Sequence, residues 1–200
     1  YGAAKGLKDF IVITLGTGLG SGIVINGDLV YGADGFAGEL GHTCVDANGR
    51  MCGCGKKGCL ETYVSATGIR RTVFQLLARM NDPSPLRGIT YNKLTAKRIA
   101  ELAKMGDAIA KEAFEYTGRL LGISLANAAA FSRPEAIILF GGLTEAGTIL
   151  FKPTKKWFEA YLLDIYKDKI KILKSGLKES NSAILGAGAL AWDELKKSRR

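Results

Sequence analysis

No apolar run in these 200 residues reaches the ~18 that a membrane-crossing helix needs, and no basic-plus-apolar leader opens the chain. A membrane partner and a secreted protein are thereby set aside, and a cytoplasmic protein is expected. Internal repeats and low-complexity linkers are lacking as well. Acid is short: 19 Asp and Glu face 28 Lys and Arg, for a formal charge of +9. Such a balance can mean nucleic acid or anionic ligands. Yet no nucleic-acid reading motif accompanies it. Lys152, Lys155 and Lys156 stand beside Trp157, Phe158 and Tyr161 at helical spacing, the pattern of a solvated face on an amphipathic helix. No nucleic-acid partner is expected from them, nor from Lys167, Lys169, Lys171, Lys174 and the basic tail at 196–200. Histidine is down to one residue and cysteine to four. That scarcity makes their placement informative.

What is present is ordinary globular material, 47% hydrophobic, in a length that suits one large domain or a little more. Residues 10–15 (FIVITL) form a β-rich apolar run, closed by a glycine turn at 16–22. Residues 23–25 follow, then Asn26 and Gly27, then 28–31. An Asn-Gly pair between apolar runs is a strong hairpin signal, because both turn positions need positive φ. Three antiparallel strands are expected. Residues 32–60 carry the cysteines among many glycines with no period, and so read as a long functional loop. Helices are expected at 61–65, 69–80, from Thr95 to Lys104 and from Asp107 to about Ser132. Residues 136–140 (AIILF) suit a strand buried on both faces. A helix at 147–163, a strand at 169–173 and a helix at 182–196 complete the order. The small residues at 183–190 are expected to pack that last helix closely on the sheet. The fold class is therefore α/β: a mixed sheet flanked by helices, in the order of an actin-like ATPase (ribonuclease H-like) half-unit, with a ligand-rich loop inserted.

That loop reads GHTCVDANGRMCGCGKKGCLE and holds the only histidine and all four cysteines. A disulfide framework does not suit a chain of this size without secretion. Thiolates and an imidazole folded around glycines suit a closed tetrahedral zinc site of the structural kind. Cys52, Cys54 and Cys59 supply three ligands. The fourth is His42 or Cys44, and spacing leaves that choice open. Residues 15–22 (LGTGLGSG) lie between two strands, so they are neither a P-loop nor a dinucleotide fingerprint, both of which feed a helix. Their backbone N–H groups, with the hydroxyls of Thr14 and Thr17, can still approach phosphate oxygens. Gly141 and Gly142 follow a buried strand, at the sheet edge where ligands bind.

Three segments together resemble the ROK family of repressors and sugar kinases: GELGH at 38–42 with CGCGKKGCLE at 52–61, ITLGTGLGSG at 13–22, and GGL at 141–143. The resemblance covers nearly the whole chain. It implies that His42, Cys52, Cys54 and Cys59 hold a structural zinc, leaving Cys44 spare. It implies that Glu39, His42 and Glu61 bind the hydroxyls of a hexose. Thr14, Gly16, Thr17, Gly18 and Gly20 would then meet the phosphates of ATP, with Mg²⁺ as companion ion, and Gly141 and Gly142 the adenosine. Carboxylates accept hydrogen bonds from vicinal hydroxyls, and an imidazole bound to zinc through one nitrogen can offer the other to the sugar.

Two segments of the family pattern are lacking. The kinases' Asn-Asp-x-Asn segment with its catalytic base has no match before Phe10, where Asp9 is the only acid and has no flanking asparagine. The Asp-x-Gly-Gly-Thr phosphate motif is lacking too. The chain also opens on Tyr1. It is therefore expected to be the C-terminal domain, residues 1–200, of a ROK-type hexokinase of the glucokinase kind, with a zinc loop at 42–59, inactive alone and homodimeric in its full form. The alternative is a sugar-sensing ROK-type repressor whose DNA-binding part is missing. The intact glycine hairpin favours the kinase, since a repressor needs no ATP.

Overall fold

A computed structural model describes residues 2–177 and 179–197. Its sheet has five strands in the order β3-β2-β1-β4-β5, with β1 Phe10–Leu15, β2 Leu19–Ile25, β3 Asp28–Leu29, β4 Ala136–Phe140 and β5 Lys171–Lys174. β1 runs antiparallel to β2 and parallel to β4, so the sheet is mixed as expected. Among the described residues five α-helices accompany it: α1 Ala66–Arg79, α2 Ala96–Lys104, α3 Ala108–Ser132, α4 Thr148–Tyr161 and α5 Glu179–Lys197.

Period two along β1 sends Ile11, Ile13 and Leu15 into the core, where they meet Ile137 and Leu139 of β4 and the buried face of α3, including Phe114, Leu121 and Leu125. Gly118 and Gly122 bring α3 directly onto α4. A Cβ at Gly118 would stand 2.6 Å from the ring of Pro153. The helix starts follow local chemistry: Ser65, Thr95 and Asp107 accept from the N–H groups of Gly68, Arg98 and Ala110 as N-caps. On the other side of the sheet Phe10, Val12, Ile138 and Phe140 line an open apolar groove with Ala3, Ala4 and Gly186.

Several expectations need correcting. β2 begins at Leu19, so only Gly16–Gly18 form the turn and Gly20 and Gly22 lie within the strand. β3 holds two residues instead of four. The segment after Leu60 is one 3₁₀ turn, and α1 starts at Ala66, because Ser65 caps it three residues earlier than the apolar period suggests. α5 is not packed closely on the sheet: Ile184 is 74% exposed, and nothing described comes within 4 Å of a Cβ built on Gly186 or Gly188. The helical face with Phe158 inward and Lys155 and Lys156 outward is as expected. The end of the basic tail, residues 198–200, lies outside the described residues.

Candidate functional site

The long loop is tied down by two backbone bridges, Cys44 to Cys59 and Met51 to Lys57. These fold Cys52–Cys59 back beneath the 3₁₀ turn Leu40–His42. One ligand atom each from His42, Cys52, Cys54 and Cys59 falls within a span of 4.8 Å. Cys54 Sγ lies 3.6 Å from Cys59 Sγ, and Cys52 Sγ 3.6 Å from His42 Nδ1. Tetrahedral zinc with bonds of about 2.3 Å to sulfur sets ligand atoms about 3.8 Å apart, so donor set and spacing fit that ion. Cys44 is exposed and outside the cluster, and its backbone serves the bridge instead. Burial pushes the Cys52 thiol up to about 12, whereas the Lys56 backbone N–H draws Cys54 down to about 7. A cation that binds thiolates must therefore displace protons here.

The imidazole faces two ways. His42 Nδ1 points to the cysteines and lies 3.8 Å from Glu61 Oε1, while Nε2 is 3.7 Å from Glu39 Oε2. Glu61 Oε1 accepts from Cys52 Sγ at 3.1 Å, and its Oε2 from the Leu19 N–H at 3.4 Å. The second contact joins the loop to the glycine hairpin. A Cβ at Gly18 would sit 2.6 Å from Glu61 Oε2, so a side chain there would push the carboxylate out of its present position. Glu39, His42 and Glu61 thus form one partly open polar cluster beside Gly18.

Thr14 Oγ1 accepts from the Gly20 N–H at 3.2 Å, which leaves its own proton to donate. Thr17 is exposed at the turn. Gly16 accepts from the first N–H of α1 (Ala66, 2.9 Å), so a helix reaches the hairpin through space although none follows it in sequence. Because β1 and β4 are parallel neighbours, with Thr14 opposite Phe140, Gly141 and Gly142 emerge next to Gly16. Beside Gly142 opens a cavity of about 520 Å³, lined also by Lys97, Ala100, Lys104 and Leu143. Sequence reasoning gave no sign that α2 would form its wall. Asp9 is remote from all this, at the far end of β1, where its carboxylate accepts from the Asn26 N–H at 2.8 Å and closes the β2–β3 turn.

The ROK family model matches residues 1–194. The chain belongs to the ROK family. It is 39% identical over 193 residues to a glucokinase of Halalkalibacterium halodurans, covering 94% of this chain and 58% of the relative. It is 33% identical over 190 residues to the DNA-binding transcriptional dual regulator NagC of Escherichia coli, covering 95% of this chain and 45% of that one. Its fold is that of the ROK glucokinase from Streptomyces griseus, solved with glucose and AMPPNP, at a TM-score of 0.84 and 34% identity over 94% of this chain and 62% of that one. The fold class is thus the expected actin-like ATPase domain. The chain spans less than two thirds of the length of these relatives.

Proposed function

We propose that this ROK chain is the C-terminal domain, residues 1–200, of an ATP-dependent hexose kinase of the glucokinase kind. One observation carries the reading: Glu61, in the carboxylate–imidazole cluster suited to a polyol, reaches the backbone of the glycine hairpin suited to phosphate. Sugar and γ-phosphate would meet at that contact. In this reading His42, Cys52, Cys54 and Cys59 hold one structural zinc, and the metal orients His42 without entering the chemistry. Glu39, His42 through Nε2, and Glu61 receive the sugar. The glycine hairpin at Gly16, Gly18 and Gly20, with the Thr14 and Thr17 hydroxyls, receives the phosphates of ATP, which enters with its Mg²⁺. The cavity beside Gly141 and Gly142 takes the adenosine. Catalysis in such a transfer is positioning plus charge stabilisation, completed by a base for the attacking hydroxyl. That base belongs to the segment that relatives carry beyond this chain's span, and the working protein is a cytoplasmic homodimer.

The test is ATP-dependent turnover of the full-length protein across several hexoses and N-acetylhexosamines. Phosphorylation of glucose or a close relative is expected. The identity with NagC supports a second reading, a sugar-responsive regulator sharing the loop and the sugar residues. Sugar binding without turnover on any substrate would select it. The intact hairpin speaks for the kinase.

A further inference from the structure

Arg50 stands within the ligand-rich loop, between Cys44 and Cys52, and has been given no role above. Its Nη1 donates to the carbonyls of Thr62 (2.6 Å) and Gly68 (3.0 Å), and its Nη2 to Thr72 Oγ1 (2.9 Å) and Gln75 Oε1 (2.6 Å). The guanidinium lies 4.3 Å over the ring of Tyr63, whose hydroxyl in turn accepts from the Arg50 N–H. All four acceptors are neutral. Its Nε is buried without a hydrogen-bond partner among the described residues. A half-buried cation with no acid among its hydrogen-bond partners is costly to a fold. Its four bonds converge on one place: Thr62 directly follows Glu61, and Gly68, Thr72 and Gln75 belong to α1, whose first N–H is bonded to the glycine hairpin at Gly16.

We propose that Arg50 is a positioning residue for Glu61, locking the turn that carries this carboxylate to α1 and so fixing where it stands against the hairpin. The inference rests on the reading of Glu61 as a sugar ligand. Lysine cannot replace the fork, because one ammonium cannot span acceptors on both the turn and the helix. A role confined to holding the metal loop would instead show in zinc content.

The experiment measures glucose affinity by NMR titration, which reads weak as well as tight complexes, and zinc by mass spectrometry, in the purified chain and its Arg50→Lys, Glu61→Gln and double variants. Arg50→Lys is expected to keep one zinc per chain and to weaken glucose binding about tenfold, within the range of couplings inside one hydrogen-bond network. The double variant should bind no more weakly than Glu61→Gln alone, since a misplaced carboxylate and an absent one are the same loss. Zinc lost in step with affinity, or two effects that multiply, would overturn the proposal. An effect of Glu61→Gln with none of Arg50→Lys removes the role of Arg50 only, whereas no effect of Glu61→Gln removes both readings. Should Arg50→Lys fail to fold, Thr72→Val with Gln75→Leu strips the Nη2 acceptors and leaves the guanidinium in place. A weaker glucose complex with zinc retained then supports the proposal, and unchanged affinity overturns it.

Discussion

Cys44 and Cys54 are both exposed thiols in one loop, yet geometry gives them opposite roles. Cys54 Sγ is inside the ligand span and Cys44 is not. Structural zinc binding is coupled to folding, because the ligands converge only in the folded loop. Cys54→Ser is therefore expected to lose the bound zinc and unfold the loop, and Cys44→Ser to leave one zinc per chain, as read by mass spectrometry under non-denaturing conditions. A disulfide between Cys52 and Cys59, or a folded protein free of metal, contradicts the zinc proposal. Reading these residues one by one identified every member of the cluster. It left the fourth ligand open, because His42 and Cys44 are two positions apart and only the 3₁₀ turn at Leu40–His42 decides which of them faces inward.

Among elements, the start of α1 is a junction. Ser65 Oγ accepts from the Gly68 N–H at 2.9 Å and donates to the Glu61 carbonyl at 2.7 Å, so one fully buried hydroxyl caps the helix and holds the turn before it. Ser65→Ala should cost about 1–2 kcal/mol in denaturant unfolding, the upper part of the range for a lost N-cap. The seam between β1 and β4 has a comparable fastening. Glu135 Oε1 accepts from the N–H groups of Lys8 and Asp9, and these two bonds hold its carboxyl below the ordinary range. A depressed folded pKa gives stability that is complete above the unfolded value of about 4.3 and is lost as pH falls through the lower folded value. Glu135→Gln should therefore melt below the parent at pH 7, with the gap closing as pH drops beneath about 4. A gap that persists at low pH would assign the effect to packing. Element types were readable here because caps and the strand period are local signals. Boundaries moved where strand pairing intervened, as in β2, which extends through Gly20 and Gly22 because β1 offers a complete partner edge.

Taken whole, the molecule has a continuous core from the sheet through α3 to α4 and a loop gathered on one ligand cluster. It is expected to fold as this 200-residue chain and to be inactive as a kinase. Burial and the Cys-His cluster are local to it, whereas transfer needs hydroxyl, base and γ-phosphate held together. The measurement is glucose phosphorylation by the purified chain beside the full-length protein. Turnover near that of the full-length protein would place the base within these residues. Asp9 is already engaged at the far end of β1, and Asp34 would be the acid to test.

The sequence by itself determined the α/β order, the caps of α2 and α3 at Thr95 and Asp107, the buried parallel strand, and Cys52, Cys54 and Cys59 as members of the cluster. Each of these depends on residue type and on neighbours a few positions away. Only the tertiary structure decided how distant segments meet. Glu61 touches Gly18 and Leu19, α1 reaches Gly16, α2 walls the cavity at Gly142, and Arg50 threads from the cysteine loop into α1. Those contacts arise because β1 pairs in parallel with β4, a strand more than a hundred residues away, and because the cysteine loop folds back across the hairpin. Pairing over such distances is set by the burial of a shared core, and no window of sequence contains it.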